Sequence, residues 1–515
     1  MTRPVLVLGA VVAALAVGLG TADAQAGRPH SPATVVTAGS TTTVKQATVV
    51  CPDARGGVAQ QVTWVRAAGS GAGILDGQAA ITATAVTSKP QDFANAGAAI
   101  GLVPFGLSFG GRIDKGTRAL AFTGSGASAV GLGAVQVTRA TTGLSRGLAA
   151  VSCTEPGTAF SFVGGSTIVG NELKLVLTNI DDADAIVNLT LLGAKGPLNL
   201  TGASDGIEVK PHQRRSIDLV KLGPGETELT AMVTAVTGRV AAAELTTRRD
   251  GDIPRGIEWI PDAGPASRRT LVPGMTEDAG KKTLVLADPG TEAANVTVQV
   301  VSDSGTFTPA GLESVTVDPG SVTSINVTSA LAGHPGALLV TSDQPVSAAA
   351  SQEVGSTTSP TTDVSWSAQT PPLSGTAVLP TVPLSGSAKR DVLLYLTAVH
   401  DAATVTITPT APVDPTQSSP PQPVHVQVPA GQTVAADLAT LLGATNGDLA
   451  VQVSSDPSGG AVTASAVFRE AAADGTMAAQ VGLVAVPGVI QLPAVREDPT
   501  VAGARPGEIQ PSSAP

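Results

Sequence analysis

Aromatic side chains are scarce in this sequence: Phe, Trp and Tyr make up 2% of 515 residues, with three Trp and one Tyr. A sugar-binding face built on stacked rings is therefore disfavoured. Charge is also sparse, at 14% of residues, and the net charge of -11 comes with no basic patch. This argues against a nucleic-acid partner and against polybasic attachment to anionic lipid. There are only two cysteines, neither in a CxxC, which leaves no zinc-ribbon spacing. A sustained helical period is missing, and beyond the amino-terminal segment no apolar run is long enough to span a bilayer. What the chain has in quantity is turn formers, 58 Gly and 38 Pro, between short runs of Val, Ala and Leu. That is the composition of many short strands. High Ala, Gly, Thr and Arg with little Lys, Asn and Ile is the usage of a GC-rich genome.

The amino terminus reads MTRPVLVLGAVVAALAVGLGTADA. Arg3 gives the charge, Val5–Leu19 the apolar region, and Ala22-Asp23-Ala24 a small-x-small site. This is the layout of a secretory signal peptide over residues 1–24, cleaved between Ala24 and Gln25. The alternative is an uncleaved membrane anchor, since the apolar stretch is at the short limit for a spanning helix. A polar leader follows over 25–43. In an exported chain an even cysteine count favours pairing, so Cys51 and Cys153 are read as a structural disulfide rather than two free thiols.

Six stretches between Val44 and Thr154 alternate or run apolar between turn residues: 44–51, 61–67, 79–87, 119–124, 133–140 and 148–153. They define an amino-terminal β-domain over 44–154, its cysteines at the ends of the first and last strands. The Gly-rich stretch Phe93–Asp114 is a loop with one strand or, alternatively, an exposed apolar patch for a partner or a membrane surface. Three copies of one phrase follow: LKLVLTNIDDADAIVNLTLL, TLVLADPGTEAANVTVQV and DVLLYLTAVHDAATVTITPT. Val176, Val285 and Leu394 fall at matching places, roughly 109 residues apart. Pro211, Pro319 and Pro429 mark equivalent turns, where Gly320 and Gly431 can take a positive φ. Val346 falls over Val240. The copies span 157–248, 257–353, opening with IEWIPDAG, and 364–470. SALAG (329–333) and DLATLLG (437–443) are short helical exceptions. Residues 478–493 are a possible added strand, and 494–515 a disordered Pro- and Ser-rich tail. The predicted fold is all-β: tandem immunoglobulin-like antiparallel β-sandwiches behind a disulfide-tied β-domain.

VSCTEPGTAFSFVGGSTIVGNELKLVLTN, followed by GRVAAAEL and a Trp-Ile-Pro at the opening of the next copy, resembles an uncharacterised family of exported proteins of high-GC Gram-positive bacteria. The resemblance extends over most of the chain beyond residue 24, and the cysteine-flanked FSFVGG passage is its most specific part. It implies export and an envelope setting. It transfers no active-site residue.

Motifs for chemistry are few. Gly143–Gly147 matches GxSxG, but that elbow needs a helix after its Ser, and the β-run LAAVSC follows. His30, His212, His334, His400 and His425 share no HxH or HExxH spacing, so no metal site or triad base is read from them. Asp181, Asp182, Asp184, Asp288 and Asp401 lie at hairpin tips, where calcium would use such oxygens but where Asp is also a common turn residue. Trp64, Trp259 and Trp366 stand at or near the starts of units, as plugs of a core or a junction. No cofactor and no metal are expected. The reading is a non-catalytic, exported cell-envelope scaffold, secreted or at the cell surface, whose partner is an envelope protein. The alternatives are a module binding cell-wall polysaccharide or peptidoglycan and, more remotely, a hydrolase. A membrane is involved only through the amino-terminal segment, if that is retained.

Overall fold

The computed structural model describes residues 41–52, 59–66, 80–86, 103–105, 108–114, 119–126, 129–200, 204–355, 361–383, 390–412, 422–443, 448–486 and 489–491. The signal-peptide and anchor readings, the Ala24/Gln25 cleavage site and the tail lie outside these residues. So do most of Phe93–Asp114 and the side chain of Trp64. By contact density the chain forms two units, one being Val44–Gly488 and the other Met1–Thr43 with Val489–Pro515. In the second of these, Thr41–Thr43 pairs antiparallel with Val489–Gln491, so the end of the polar leader is a strand.

Within Val44–Gly488 the fold is all-β and antiparallel, as alternating Val, Ala and Thr between Gly and Pro turns dictates. The amino-terminal domain has a sheet of Gln46–Cys51, Ala119–Ser125 and Ala80–Val86. Its second sheet runs Val103–Phe105, Ser108–Asp114, Ala59–Arg66, Leu132–Ala140 and Gly147–Ser152. Cys51 ends a strand of the first sheet, Cys153 follows the edge strand of the second, and the two are disulfide-bonded. The bond ties sheet to sheet.

Each repeat is two sheets around its own core. In the first, Ala159–Val163, Thr230–Thr237 and Ala185–Gly193 face Arg214–Asp218, Glu172–Thr178, Ala241–Asp250 and Ile253–Ile260. Between them lie Leu173, Leu175, Leu177, Val187, Leu189 and Leu191, all buried. The third repeats this with Thr376–Pro383, Asp448–Ser455, Ala403–Pro412 and Val424–Val428 against Gln432–Asp437, Arg390–Ala398, Val462–Ala472 and Gly475–Leu483. In the second, one strand, Gly336–Gly355, serves both sheets. Its first half pairs with Ser267–Met275 and Ala294–Ser302, its second with Lys282–Ala287 and Thr362–Ala368.

In every copy a short helix interrupts the path: Leu219–Leu222, Thr328–Leu331 and Leu438–Leu442. Asp437 caps the third, its carboxylate accepting from the Thr440 N–H. The proline turns are equivalent too, with positive φ at Gly320, Gly431 and, in the first copy, His212. An imidazole thus occupies the left-handed site that glycine fills elsewhere, and it is hydrogen-bonded to Asp182 at 2.7 Å.

Two features differ from the sequence reading. Val176 and Val285 point out of their sandwiches towards neighbouring elements, but Leu394 points into its own core. Tyr395 carries the outer face there, so the third copy is one residue out of phase with the spacing read above. Val392–Leu396 is apolar on both faces, and such a strand gives no alternation to fix its register. In addition, IEWIPDAG does not begin a new sheet. Residues 257–260 pair with 244–247 as the last strand of the first sandwich, and residues 362–368 close the second in the same way.

Removing the disulfide releases a sequence separation of 102 residues in the unfolded chain. The chain-entropy model gives a loop of that length about 4.7 kcal/mol. Calorimetry of the Cys51→Ala/Cys153→Ala variant is expected to show the amino-terminal domain melting well below the wild-type transition. A melt that neither the substitutions nor reductant alters would contradict this role.

Candidate functional site

Four sheets, one from each domain, end on strands with one open edge: Gly147–Ser152, Ile253–Ile260, Thr362–Ala368 and Gly475–Leu483. An open edge carries a row of unpaired N–H groups, which water or another partner must satisfy. Here the four edges meet, and two carboxylates take their donors. Asp363 Oδ2 accepts from Leu148 N–H at 2.8 Å and Ala478 N–H at 3.1 Å. Its Oδ1 accepts from Val364 at 3.0 Å and Ile257 at 3.3 Å. One step along, Glu258 Oε1 accepts from Ala150 at 2.8 Å and Trp259 at 2.9 Å, and Oε2 from Gln480 at 3.0 Å. Both carboxylates are fully buried. Gly256, at φ 114°, lets the chain pass against Asp363, where a Cβ would strike the carboxylate and the Val364 N–H.

Around this pair the polar groups are also engaged between units. The Arg146 guanidinium, 1% exposed, donates to Asp474 at 2.7 Å and to the Gly475 carbonyl at 2.7 Å. Gln480 Oε1 accepts from Gln352 at 3.1 Å, and its amide donates to the Pro273 carbonyl at 3.0 Å. Gln352 Oε1 accepts from Thr276 N–H. At the rim, Arg139 pairs with Glu470, and Tyr395 donates to Glu277 at 3.0 Å. Two tryptophans complete the junctions. Trp259 packs with Ala149 and Val151 of the amino-terminal domain, and Trp366 of the second repeat enters the core of the first. Gly164 of the FSFVGG passage leaves the space for that indole. Arg248 lies over its ring, 5.3 Å from the centroid.

Beside this junction a cleft of about 930 Å³ opens. Its walls include Leu132, Phe162, Leu271, Leu339, Val378 and Val481, with Glu155, Asp262, Arg269, His400 and Asp401 among the polar groups. Arg269 donates to His400 Nε2 at 2.6 Å. Asp262 accepts from Ser161 and Gly264 N–H, and burial raises its carboxyl above the usual range.

The sequence candidates fall elsewhere. Gly143–Gly147 is a hairpin turn between Leu132–Ala140 and Gly147–Ser152 with a strand after it, which is not a nucleophile elbow. His334 contacts Asp303, and His425 contacts Thr406. Asp181 is paired with Arg239 at 2.8 Å, and Asp288 caps the turn at Gly290. Among the described residues no group of three His, Cys, Asp or Glu is placed to hold a metal. Glu258, Asp363, Arg146 and Gln480 were not singled out from sequence. The available signal was a carboxylate inside an apolar strand, as in Ile-Glu-Trp-Ile.

Burial pushes the Asp363 carboxyl up to about 7, against the pull of its backbone donors and Arg146. Burial also raises Glu258 well above the carboxylate range, its three N–H donors opposing and the nearby Asp363 charge adding to the shift. Glu244 is the extreme case. It lies in register with Leu175 and Ile260 inside the first sandwich, wholly buried, with no hydrogen-bond donor to either oxygen among the described residues. Burial alone raises its pKa. An unfolded Glu titrates near about 4.3, so above that value the unfolded chain loses a proton that the fold retains. Folding stability therefore falls as pH rises from there through the raised native value. Thermal melts between pH 5 and 8 are expected to show a declining midpoint. Glu244→Met should flatten that decline and stabilise the protein by roughly 1–3 kcal/mol at pH 8. An unchanged slope in the variant would refute the assignment.

A family model described as a family of unknown function (DUF5719) matches residues 110–419, three-fifths of the chain. No curated protein matches. Among solved structures, the crystal structure of Thermotoga maritima 1070 is 16% identical, covering 20% of this chain and 93% of that one at a TM-score of 0.17. The crystal structure of Bacteroides uniformis beta-glucuronidase is 11% identical, covering 47% of this chain and 26% of that one at a TM-score of 0.11. At such scores neither likeness bears on fold or function. Among the described residues no helix is long and apolar enough to cross a membrane.

Proposed function

We propose a function from the premise that the chain belongs to the DUF5719 family of unknown function: it is an exported, non-catalytic protein of the cell envelope, working as a structural and protein-interaction scaffold. The observation that carries this reading is the use made of the buried ionisable groups. Asp363 and Glu258 hold seven backbone N–H groups between them, and Arg146 joins two hairpins. Catalysis wants such groups aimed at a reacting atom; here they fasten units together. A body fastened in this way keeps its surface loops at fixed positions, which is what a scaffold requires. The Cys51–Cys153 disulfide supports export, because such bonds persist in oxidising compartments. The resemblance noted from the sequence supports a high-GC Gram-positive envelope.

The test is expression of the full chain in a high-GC Gram-positive host, followed by fractionation and sequencing of the mature amino terminus. The expected result is protein in the medium or on the cell surface, beginning at Gln25, and held by intact walls but not by walls stripped of protein. Retention on stripped walls would transfer the assignment to polysaccharide or peptidoglycan binding. Recovery from the cytosol with Met1 in place would overturn export.

A further inference from the structure

The junction is a ladder, and the cleft is its next rung. Along an edge strand, outward N–H groups recur at every second residue. In Gly147–Ser152 those of Leu148 and Ala150 are taken, and in Gly475–Leu483 those of Ala478 and Gln480. The two strands advance in step, 148 with 478 on Asp363 and 150 with 480 on Glu258. The gap between them also widens. A single oxygen, Asp363 Oδ2, reaches both donors in the first layer, whereas Glu258 uses one oxygen for each in the second.

The same alternation sets the N–H groups of Ser152 and Gly482 in a third layer. Among the described residues neither N–H group is in a side-chain hydrogen bond, and both residues line the cleft. Pro261, two residues beyond Trp259, and Ala368, four beyond Val364, line it as well. All four strands thus reach the cleft floor at the step after the two filled layers. We infer that the cleft binds a small monocarboxylic acid with an apolar body, its carboxylate bridging the Ser152 and Gly482 N–H groups as Glu258 bridges the pair below.

The walls fit this occupant. Leu271, Leu339, Val378 and Val481 offer apolar surface, and the volume of about 930 Å³ is in the range of small-molecule sites. Arg269 is the wall cation, while Glu155, Asp262 and Asp401 oppose every added negative charge, so an occupant with one carboxylate is repelled less than one with several. This inference is independent of the scaffold reading.

The experiment is calorimetric titration of the full chain with decanoate and with its methyl ester. Decanoate should bind at least about tenfold more tightly than the ester, the usual scale for charge-assisted hydrogen bonds. Ser152→Pro removes one donor on an open edge, where proline is tolerated, and should weaken decanoate about tenfold. Ser152→Ala keeps the N–H and should leave binding unchanged. Equal binding of acid and ester, no binding of decanoate, or indifference to a folded Ser152→Pro would each overturn the proposal. If Ser152→Pro does not fold, the acid–ester comparison on the natural chain decides. An apolar tripeptide binding through its free carboxyl terminus while decanoate does not would replace the small acid by a peptide end.

Discussion

A β-sheet edge cannot be buried unless its N–H groups find acceptors, and four such edges are buried together in this protein. Everything about the arrangement of the domains depends on how that requirement is met. Each of the four sheets ends on an open strand, and exposed edges invite pairing with other chains. Bringing the four ends together removes them from solvent but leaves their donors facing one another. Asp363 and Glu258 supply the acceptors. A carboxyl oxygen can accept two N–H bonds at once, and seven donors divided over the two groups offset part of a desolvation that still raises both carboxyls above the usual range. A buried group left with half its partners would be costly, so the two carboxylates and the four strands depend on each other.

This arrangement explains why the tandem units are not beads on a string. The tryptophans at the ends of the first and second sandwiches each belong to a neighbour's packing: Trp259 to that of the amino-terminal domain, Trp366 to the core of the preceding repeat. The disulfide acts on the same structure, since Cys153 directly follows the edge strand that donates Leu148 and Ala150. Closing the amino-terminal domain fixes the strand that the repeats then clasp. The cleft lies against the same junction, with Ser152, Pro261, Ala368 and Gly482, one step beyond the two filled layers, among its lining residues.

Much of the fold was legible in the sequence. Alternating Val and Thr between Gly and Pro turns gave the strands, and the turn prolines aligned the copies. The helical turns after Asn326 and Asp437 were visible as SALAG and DLATLLG. The turn at Leu219–Leu222 was not, because SIDLV reads as strand until its last two residues. The phase of the third copy was lost for a related reason, Val392–Leu396 being apolar on both faces. The junction was the least legible part. Glu258 and Asp363 are single carboxylates in short strands, and what marks them is the company of donors from strands more than 100 residues away in sequence. No local spacing encodes that. GxSxG shows the opposite error, a pattern of the right letters on a hairpin whose important residue is the buried Arg146.

The most direct measurement on the central claim is amide hydrogen exchange of the native chain at Leu148, Ala150, Ala478 and Gln480. These N–H groups belong to no sheet ladder, so only the carboxylates and the packing around them protect them. They are expected to exchange as slowly as the laddered amides of Ala149 and Ala479, with Ala150 and Gln480 losing that protection in Glu258→Ala and Leu148 and Ala478 losing it in Asp363→Ala. Exchange at the rate of open-edge amides in the native protein would mean that the edges are solvated and that the four domains are not fastened through Asp363 and Glu258.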